Sequence, residues 1–78
     1  MPKKQLLTEK DLAALAKQLR KQAGKSRSEA GREMGVSHVS VYRAEENPEE
    51  SLIKLRMRMI EAYSPFKVVG PVFHLEKK

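Results

Sequence analysis

Apolar residues near the start of the chain repeat at helical spacing. The positions follow i, i+3, i+4, i+7 and i+11, and they are Leu12, Leu15, Ala16, Leu19 and Ala23. Thr8 is suited to cap the start of this helix with Asp11 at its third position, and Gly24 is suited to end it. The pattern therefore predicts an amphipathic first helix.

Two shorter helices follow. Ser26 and Glu29 form a capping-box sequence that starts a second helix, and Gly35 stops that helix because glycine tolerates a left-handed turn. Ser37 can then cap a third helix over residues 38–46. Two short helices joined by a glycine-containing turn of about three residues form a helix-turn-helix arrangement.

The last part of the chain changes from helical to strand-like sequence. Asn47-Pro48-Glu49-Glu50 has the composition of a fourth helix start, with a cap, a proline and two carboxylates. The apolar stripe of that helix is Leu52, Leu55, Met59, Ile60 and Tyr63. After Ser64-Pro65, residues 66–69 and 72–76 are rich in β-branched and aromatic side chains. Because Gly70-Pro71 separates them, they form either a hairpin or one kinked arm.

These elements predict a mostly α fold, a four-helix helix-turn-helix domain with a short C-terminal β-strand or hairpin. Residues 1–7 are expected to be a flexible basic arm, residues 8–63 the helical domain, and residues 64–78 a strand-like dimerisation segment. At 78 residues the chain has room for one domain. No apolar run approaches the roughly 18 residues of a membrane span, so we expect a cytoplasmic protein without a membrane partner.

Charge and composition narrow the classes of function. Lys and Arg total 16 and Asp and Glu total 10, and the resulting net charge of +6 lies within residues 1–43. This imbalance favours an anionic partner, nucleic acid before membrane, over a merely solvated basic surface. Cysteine is absent and the two histidines are far apart, so no metal or other cofactor is expected. The chain has no nucleophile paired with a base, which argues against an enzyme.

Several positions between Ser26 and Glu46 share the pattern of a known family. They are Glu29, Met34, Gly35, Val36, Ser37, Ser40, Val41 and Glu45. The segment resembles the helix-turn-helix of the phage lambda repressor and Cro superfamily, also called the XRE family. With the helices on either side, the resemblance covers about residues 8–63. The chain departs from the family at Gly31, where Ala is usual, and after residue 65, where strand-like sequence replaces the usual fifth helix.

The resemblance implies a sequence-specific regulator of transcription that binds double-stranded DNA, expected to be a repressor. It places the third helix in the major groove, and a homodimer would present two such helices to a two-fold symmetric operator. Family members often pair an Arg late in the first helix with a Glu at the end of the third. Arg20 and Glu45 occupy those places, so we expect a structural ion pair between them.

Three residues of the third helix are candidates for base contacts. If Val41 points inward, Val39 and Arg43 lie at about 160° and 200° around the helix and therefore face outward. Val39 is either an incidental surface residue or, as the motif favours, a contact for thymine methyl groups. Arg43 can bind guanine O6 and N7 or a phosphate. His38 is a candidate by position alone.

Phosphate contacts are expected where helices begin, because free N–H groups and the helix dipole favour anions there. The candidates are Lys25, Ser26, Arg27, Ser37, Ser40 and Tyr42. For Ser26 and Ser37, helix capping alone would also explain the residue. Tyr42 is expected either to contact phosphate or to pack on the fourth helix.

The apolar C-terminal segment is expected to form the dimer interface by strand pairing. The residues assigned to it are Phe66, Val68, Val69, Val72, Phe73 and Leu75. Two other arrangements stay open. The segment could fold back on its own helices in a monomer, or it could bind a partner protein in an adaptor or an antitoxin, where the partner would be a toxin.

Overall fold

The computed structural model describes residues 7–70 and 73–78, which form four helices followed by a hairpin. The elements are α1 (Glu9–Gln22), α2 (Arg27–Met34), α3 (His38–Glu46), α4 (Ile53–Ala62), β1 (Phe66–Val69) and β2 (His74–Lys77). This confirms the predicted mostly α fold, and the predicted C-terminal β-strand or hairpin is a hairpin. No helix within the described part of the chain is long and apolar enough to cross a membrane. The predicted arm residues 1–6 and the predicted interface residue Val72 lie outside the described residues.

The helix boundaries follow from the predicted caps. The Thr8 hydroxyl accepts a hydrogen bond from the Asp11 N–H at 3.1 Å, while the Asp11 carboxylate accepts one from the Thr8 N–H at 2.9 Å. Ser26 begins α2 with the same reciprocal pair of bonds. Gly35 ends α2 with a φ of 74°, a left-handed conformation that favours glycine. Ser37 then caps α3 by accepting from the Ser40 N–H at 3.2 Å.

The predicted start of the fourth helix at Asn47-Pro48 is wrong, because α4 begins only at Ile53. Residues 47–52 form a loop around the guanidinium of Arg56, which is fully buried. Arg56 donates to the carbonyl oxygens of Ala44, Asn47 and Glu50 at 2.8, 2.8 and 3.0 Å. In a continuous helix the carbonyl groups point along the helix axis, whereas here they converge on one guanidinium. Residues 47–52 therefore form a loop in place of the predicted first turn of the fourth helix.

A small core lies where the four helices and the hairpin meet. It consists of Leu12, Ala16, Ala30, Met34, Val41, Ala44, Leu55, Met59, Ile60 and Val68. Three of these residues are alanines, whose small side chains let short helices approach closely. Burial of Val41 and Ala44 anchors the inner face of α3 and thereby decides which of its residues face outward.

The C-terminal segment is an antiparallel hairpin that packs on the helices of its own chain. Val68 pairs with Leu75 across the hairpin and is buried in the core. Leu75 and Phe73 also pack against the core. Three of the predicted interface residues therefore cover the chain's own helices, and only Phe66, at 38%, remains a strongly exposed large apolar residue of the described segment.

The predicted flexible arm, residues 1–7, also needs correction at its last residue. The Leu7 N–H donates to the carbonyl oxygen of Phe73 at 2.7 Å, and the two residues form an antiparallel bridge beside β2. Leu7 also packs against the core. This residue is therefore part of the fold, because its backbone extends the hairpin and its side chain covers apolar surface.

Gly31 allows the turn after α2 to pack directly on that helix. A Cβ atom at this position would lie 2.7 Å from the carbonyl oxygen of Val36 and 3.2 Å from the backbone nitrogen of His38. Both neighbours are backbone atoms that cannot rotate away. Glycine at this position therefore matches an unusually close contact between α2 and the start of α3.

We predict that Gly31→Ala destabilises the protein by about 1–3 kcal/mol, the usual cost of forcing extra volume into a packed site. Helix propensity alone would favour alanine by roughly 1 kcal/mol, so the sign of the change distinguishes the two effects. Urea denaturation would measure it, with Ser28→Ala at an exposed position of the same helix as the control. A Gly31→Ala variant as stable as the control would contradict the close contact.

Candidate nucleic-acid interface

The nine-residue helix α3 has one buried face and one solvent-facing face. Val41, Ala44 and Glu45 are buried, whereas Val39 is 49% exposed and the Arg43 side chain is 52% exposed. This burial confirms the predicted orientation of the helix. His38, at the first residue of α3, is exposed as well. The three predicted base-contact residues thus lie on the exposed part of α3.

The ion pair implied by the resemblance is present and buried. Nε and Nη2 of Arg20 donate to the two carboxylate oxygens of Glu45 at 2.5 and 3.0 Å, and Nη1 donates to the Lys25 carbonyl at 2.7 Å. The Glu45 side chain is 0% exposed and that of Arg20 is 7% exposed. This two-pronged geometry ties the end of α3 to the end of α1 and fixes the rotation of α3 about its axis.

Arg27, a predicted phosphate contact, connects the start of α2 to α3. Its Nε donates to Glu45 and its Nη2 to Glu46, each at 3.0 Å. The guanidinium also lies over the ring of Tyr42, 5.0 Å from the ring centroid, within the range of a cation–π contact. Tyr42 is 47% exposed, and its ring stacks with the Arg27 guanidinium.

Glu46 pairs with a second cation, Lys17, in addition to Arg27. Lys17 of α1 donates to its carboxylate at 2.6 Å, and this hydrogen bond is the main cause of a pKa of Glu46 below its usual range. With Arg27 on its other side, Glu46 balances charge from both α1 and α2. Three of the ten basic residues before residue 44, Lys17, Arg20 and Arg27, are therefore paired with carboxylates from the end of α3.

Arg43 is bound by the carboxylate of Glu50, a residue that the sequence predicts in the first turn of the fourth helix. Its Nε donates to Glu50 at 3.1 Å, and its Nη2 donates to the second oxygen of the same carboxylate. The Asn47 side-chain amide donates to Glu50 at 2.7 Å. The Arg43 guanidinium and the Asn47 amide together hold the pKa of Glu50 below its usual range. The predicted base-contact arginine is therefore oriented by the loop after α3.

A groove of about 440 Å³ lies between α3 and the start of α4. Its lining residues are Val36, Ser40, Ser51, Leu52, Ile53, Lys54, Leu55 and Arg58. No side chain among the described residues caps α4, so the backbone N–H groups of its first turn have no capping partner there. Ser40, a predicted phosphate contact, thus lies beside two cations, Lys54 and Arg58.

Lys25, another predicted phosphate contact, lies away from the Arg27–Tyr42 stack. Its ammonium pairs with Glu33 at 2.8 Å, and Glu33 also accepts a hydrogen bond from the Tyr63 hydroxyl at 2.6 Å. Glu33 lies about 120° around α2 from Arg27. Lys25 is therefore engaged near the end of α4, away from the Arg27–Tyr42 stack. Ser26 and Ser37 both act as helix caps.

Sequence reasoning missed Arg56 and the partner of Arg43. The signal for Arg56 was its position on the apolar stripe, between Leu52 and Met59 at helical spacing, where an arginine is unusual and indicates a buried cation. No comparable signal identified Glu50, because its pairing depends on the loop around Arg56.

A scan against protein-family models, a search of curated proteins and a search of solved structures each found no match to the chain.

We predict that Glu45→Gln destabilises the protein by about 3–5 kcal/mol, because it removes the charge that balances the buried Arg20. Arg20→Ala is expected to have a similar cost, and the double variant is expected to be no less stable than either single variant. Thermal unfolding would measure all three. Glu49→Gln, the same change at an exposed position, is the control. Melting temperatures equal to wild type in both single variants would refute the coupling.

Proposed function

We propose that the chain is a sequence-specific double-stranded DNA-binding regulator of transcription that inserts α3 into the major groove. The family resemblance makes repression the expected mode. The observation that carries the proposal is the outer face of α3. It combines an exposed apolar side chain, Val39, with an exposed guanidinium, Arg43, on a helix whose rotation a buried ion pair fixes.

The chemistry of this face suits base recognition. Val39 offers a methyl surface complementary to thymine, and Arg43 offers paired N–H donors complementary to guanine O6 and N7. His38, exposed one residue before Val39, adds a ring nitrogen at the same end of the helix. A thymine methyl contact and hydrogen bonds to guanine O6 and N7 each distinguish one base from the others. Side chains that can make such contacts support a sequence-specific interaction.

Cationic groups flank α3 on two sides, as the two phosphate backbones flank a major groove. On one side Arg27 lies at the start of α2 and stacks on Tyr42. On the other side α4 begins without a side-chain cap from the described part of the chain, and Lys54 and Arg58 line the adjacent groove. Helix starts of this kind bind phosphate through their N–H groups and their dipole. The arrangement supports docking with α3 between the two strands.

The adaptor and antitoxin alternatives depended on an uncovered apolar C-terminal segment. Val68 is buried, and Phe73 and Leu75 pack against the helices of the same chain. Within residues 7–70 and 73–78, no observation therefore favours a toxin or another partner protein over DNA. Co-purification of an unrelated protein at a fixed ratio would reverse this preference.

We predict that Arg43→Ala weakens binding to the preferred duplex by about 1–3 kcal/mol and relaxes the preference at one base pair. The preferred duplex would be selected from a random-sequence library, and fluorescence anisotropy would measure the affinity. Wild-type affinity is also expected to fall steeply with salt, because neutralised phosphates release counterions.

Lys67→Ala is the control for this experiment, because it removes one positive charge from the exposed part of β1. It is expected to leave base preference unchanged. Equal affinity and equal preference in Arg43→Ala and wild type would refute the role of Arg43. A wild-type protein that selects no sequence from the library would refute the proposed function itself.

The homodimer stays a prediction, although the packing of Val68, Phe73 and Leu75 on their own chain leaves Phe66 as the strongly exposed large apolar residue in the described part of its predicted interface. One copy offers a single recognition helix, so we expect two copies on half-sites one helical turn apart, about 34 Å. Sedimentation of the selected complex should give two chains per duplex, and Phe66→Ser should lower the dimer fraction of the free protein. One chain per duplex, together with a monomeric free protein at high micromolar concentration, would rule the dimer out.

A further inference from the structure

The contact between Arg43 and Glu50 uses one edge of the guanidinium and leaves the other edge open. Glu50 accepts from Nε and Nη2 of Arg43, which are the donors of the side edge. An arginine carries five N–H groups, so the Nη1 hydrogens and one Nη2 hydrogen remain. No other hydrogen bond of this guanidinium occurs among the described residues, and the side chain is 52% exposed. The open edge is therefore available to a ligand.

Glu50 is itself held at three points. Its backbone carbonyl accepts from the buried Arg56 at 3.0 Å, and its backbone N–H donates to the Asn47 carbonyl at 3.0 Å. Its carboxylate accepts from the Asn47 side chain at 2.7 Å. A continuous set of contacts thus runs from the interior of the protein to the guanidinium of Arg43, and this set fixes a side chain that would otherwise sample many rotamers.

We propose that Glu50 is a positioning residue that orients Arg43 so that its open edge reads a guanine. This inference rests on the proposed function and adds a determinant of its specificity outside α3. Of the three remaining hydrogens, one on Nη1 and one on Nη2 are parallel donors that match O6 and N7 of guanine, whereas a freely rotating guanidinium would bind phosphates and bases with little distinction. The negative charge of Glu50 also disfavours contact with a phosphate at this place.

The opposite reading is that Glu50 masks Arg43 and must be displaced by DNA. The two readings differ in the effect of Glu50→Gln, which keeps the size of the side chain and removes its charge. Loss of orientation should weaken the preference for guanine, whereas loss of a mask should strengthen binding of Arg43 to its base. The preference at one base pair therefore distinguishes them.

The experiment compares wild type, Glu50→Gln, Arg43→Ala and the double variant on duplexes that carry each of the four bases at the position read by Arg43. We expect Glu50→Gln to reduce the preference for guanine by about tenfold, the scale of one bidentate contact. The double variant should show the preference of Arg43→Ala alone. Glu49→Gln, an exposed neighbour with the same charge change, should keep the wild-type preference.

A second measurement tests the orientation without DNA. The Arg43 Nε–H resonance in the free protein should exchange slowly with water, and Glu50→Gln should abolish that protection while Glu49→Gln preserves it. Free exchange in wild type, or an undiminished guanine preference in Glu50→Gln, would overturn the role of Glu50 and leave the proposed function standing. A wild-type protein with no base preference would overturn both.

Discussion

The buried carboxylate of Glu45 determines what α3 presents to solvent. It accepts hydrogen bonds from Arg20 of α1 and Arg27 of α2, so one side chain of α3 is held by both preceding helices. A buried charge without these partners would be strongly destabilising, which couples the fold to a single rotation of α3. That rotation places Val39 and Arg43 outward. The resulting surface depends on an ion pair located on the opposite face of the helix.

Arg56 has a corresponding role for the loop after α3. Its guanidinium donates hydrogen bonds to the carbonyl oxygens of Ala44, Asn47 and Glu50. These bonds fix a loop where the sequence predicts the start of the fourth helix. The loop also places the Glu50 carboxylate on Arg43, the side chain that is proposed to contact a base. Two buried arginines thus act at the C-terminal end of α3. Arg20 fixes the rotation of the helix through Glu45, and Arg56 fixes the loop that positions the Arg43 side chain.

Local sequence signals predicted the helices and their caps because each signal acts within a few residues. The capping boxes at Thr8 and Ser26 are examples, as is the inward direction of Val41. The start of α4 was mispredicted because Asn47-Pro48 carries a good local signal that a distant side chain, Arg56, overrides. The pairing of Arg43 with Glu50 depends on that loop and could not be predicted. The hairpin was predicted as one of two options, but its packing on the helices is a long-range property.

Amide chemical-shift mapping during titration with the selected duplex tests the central claim most directly, because it reports every described element at once. Insertion of α3 predicts the largest shifts at His38, Val39 and Arg43, with smaller shifts where α2 and α4 begin, and none along β1 and β2. Shifts concentrated on the hairpin, or the absence of any localised shifts, would contradict the account.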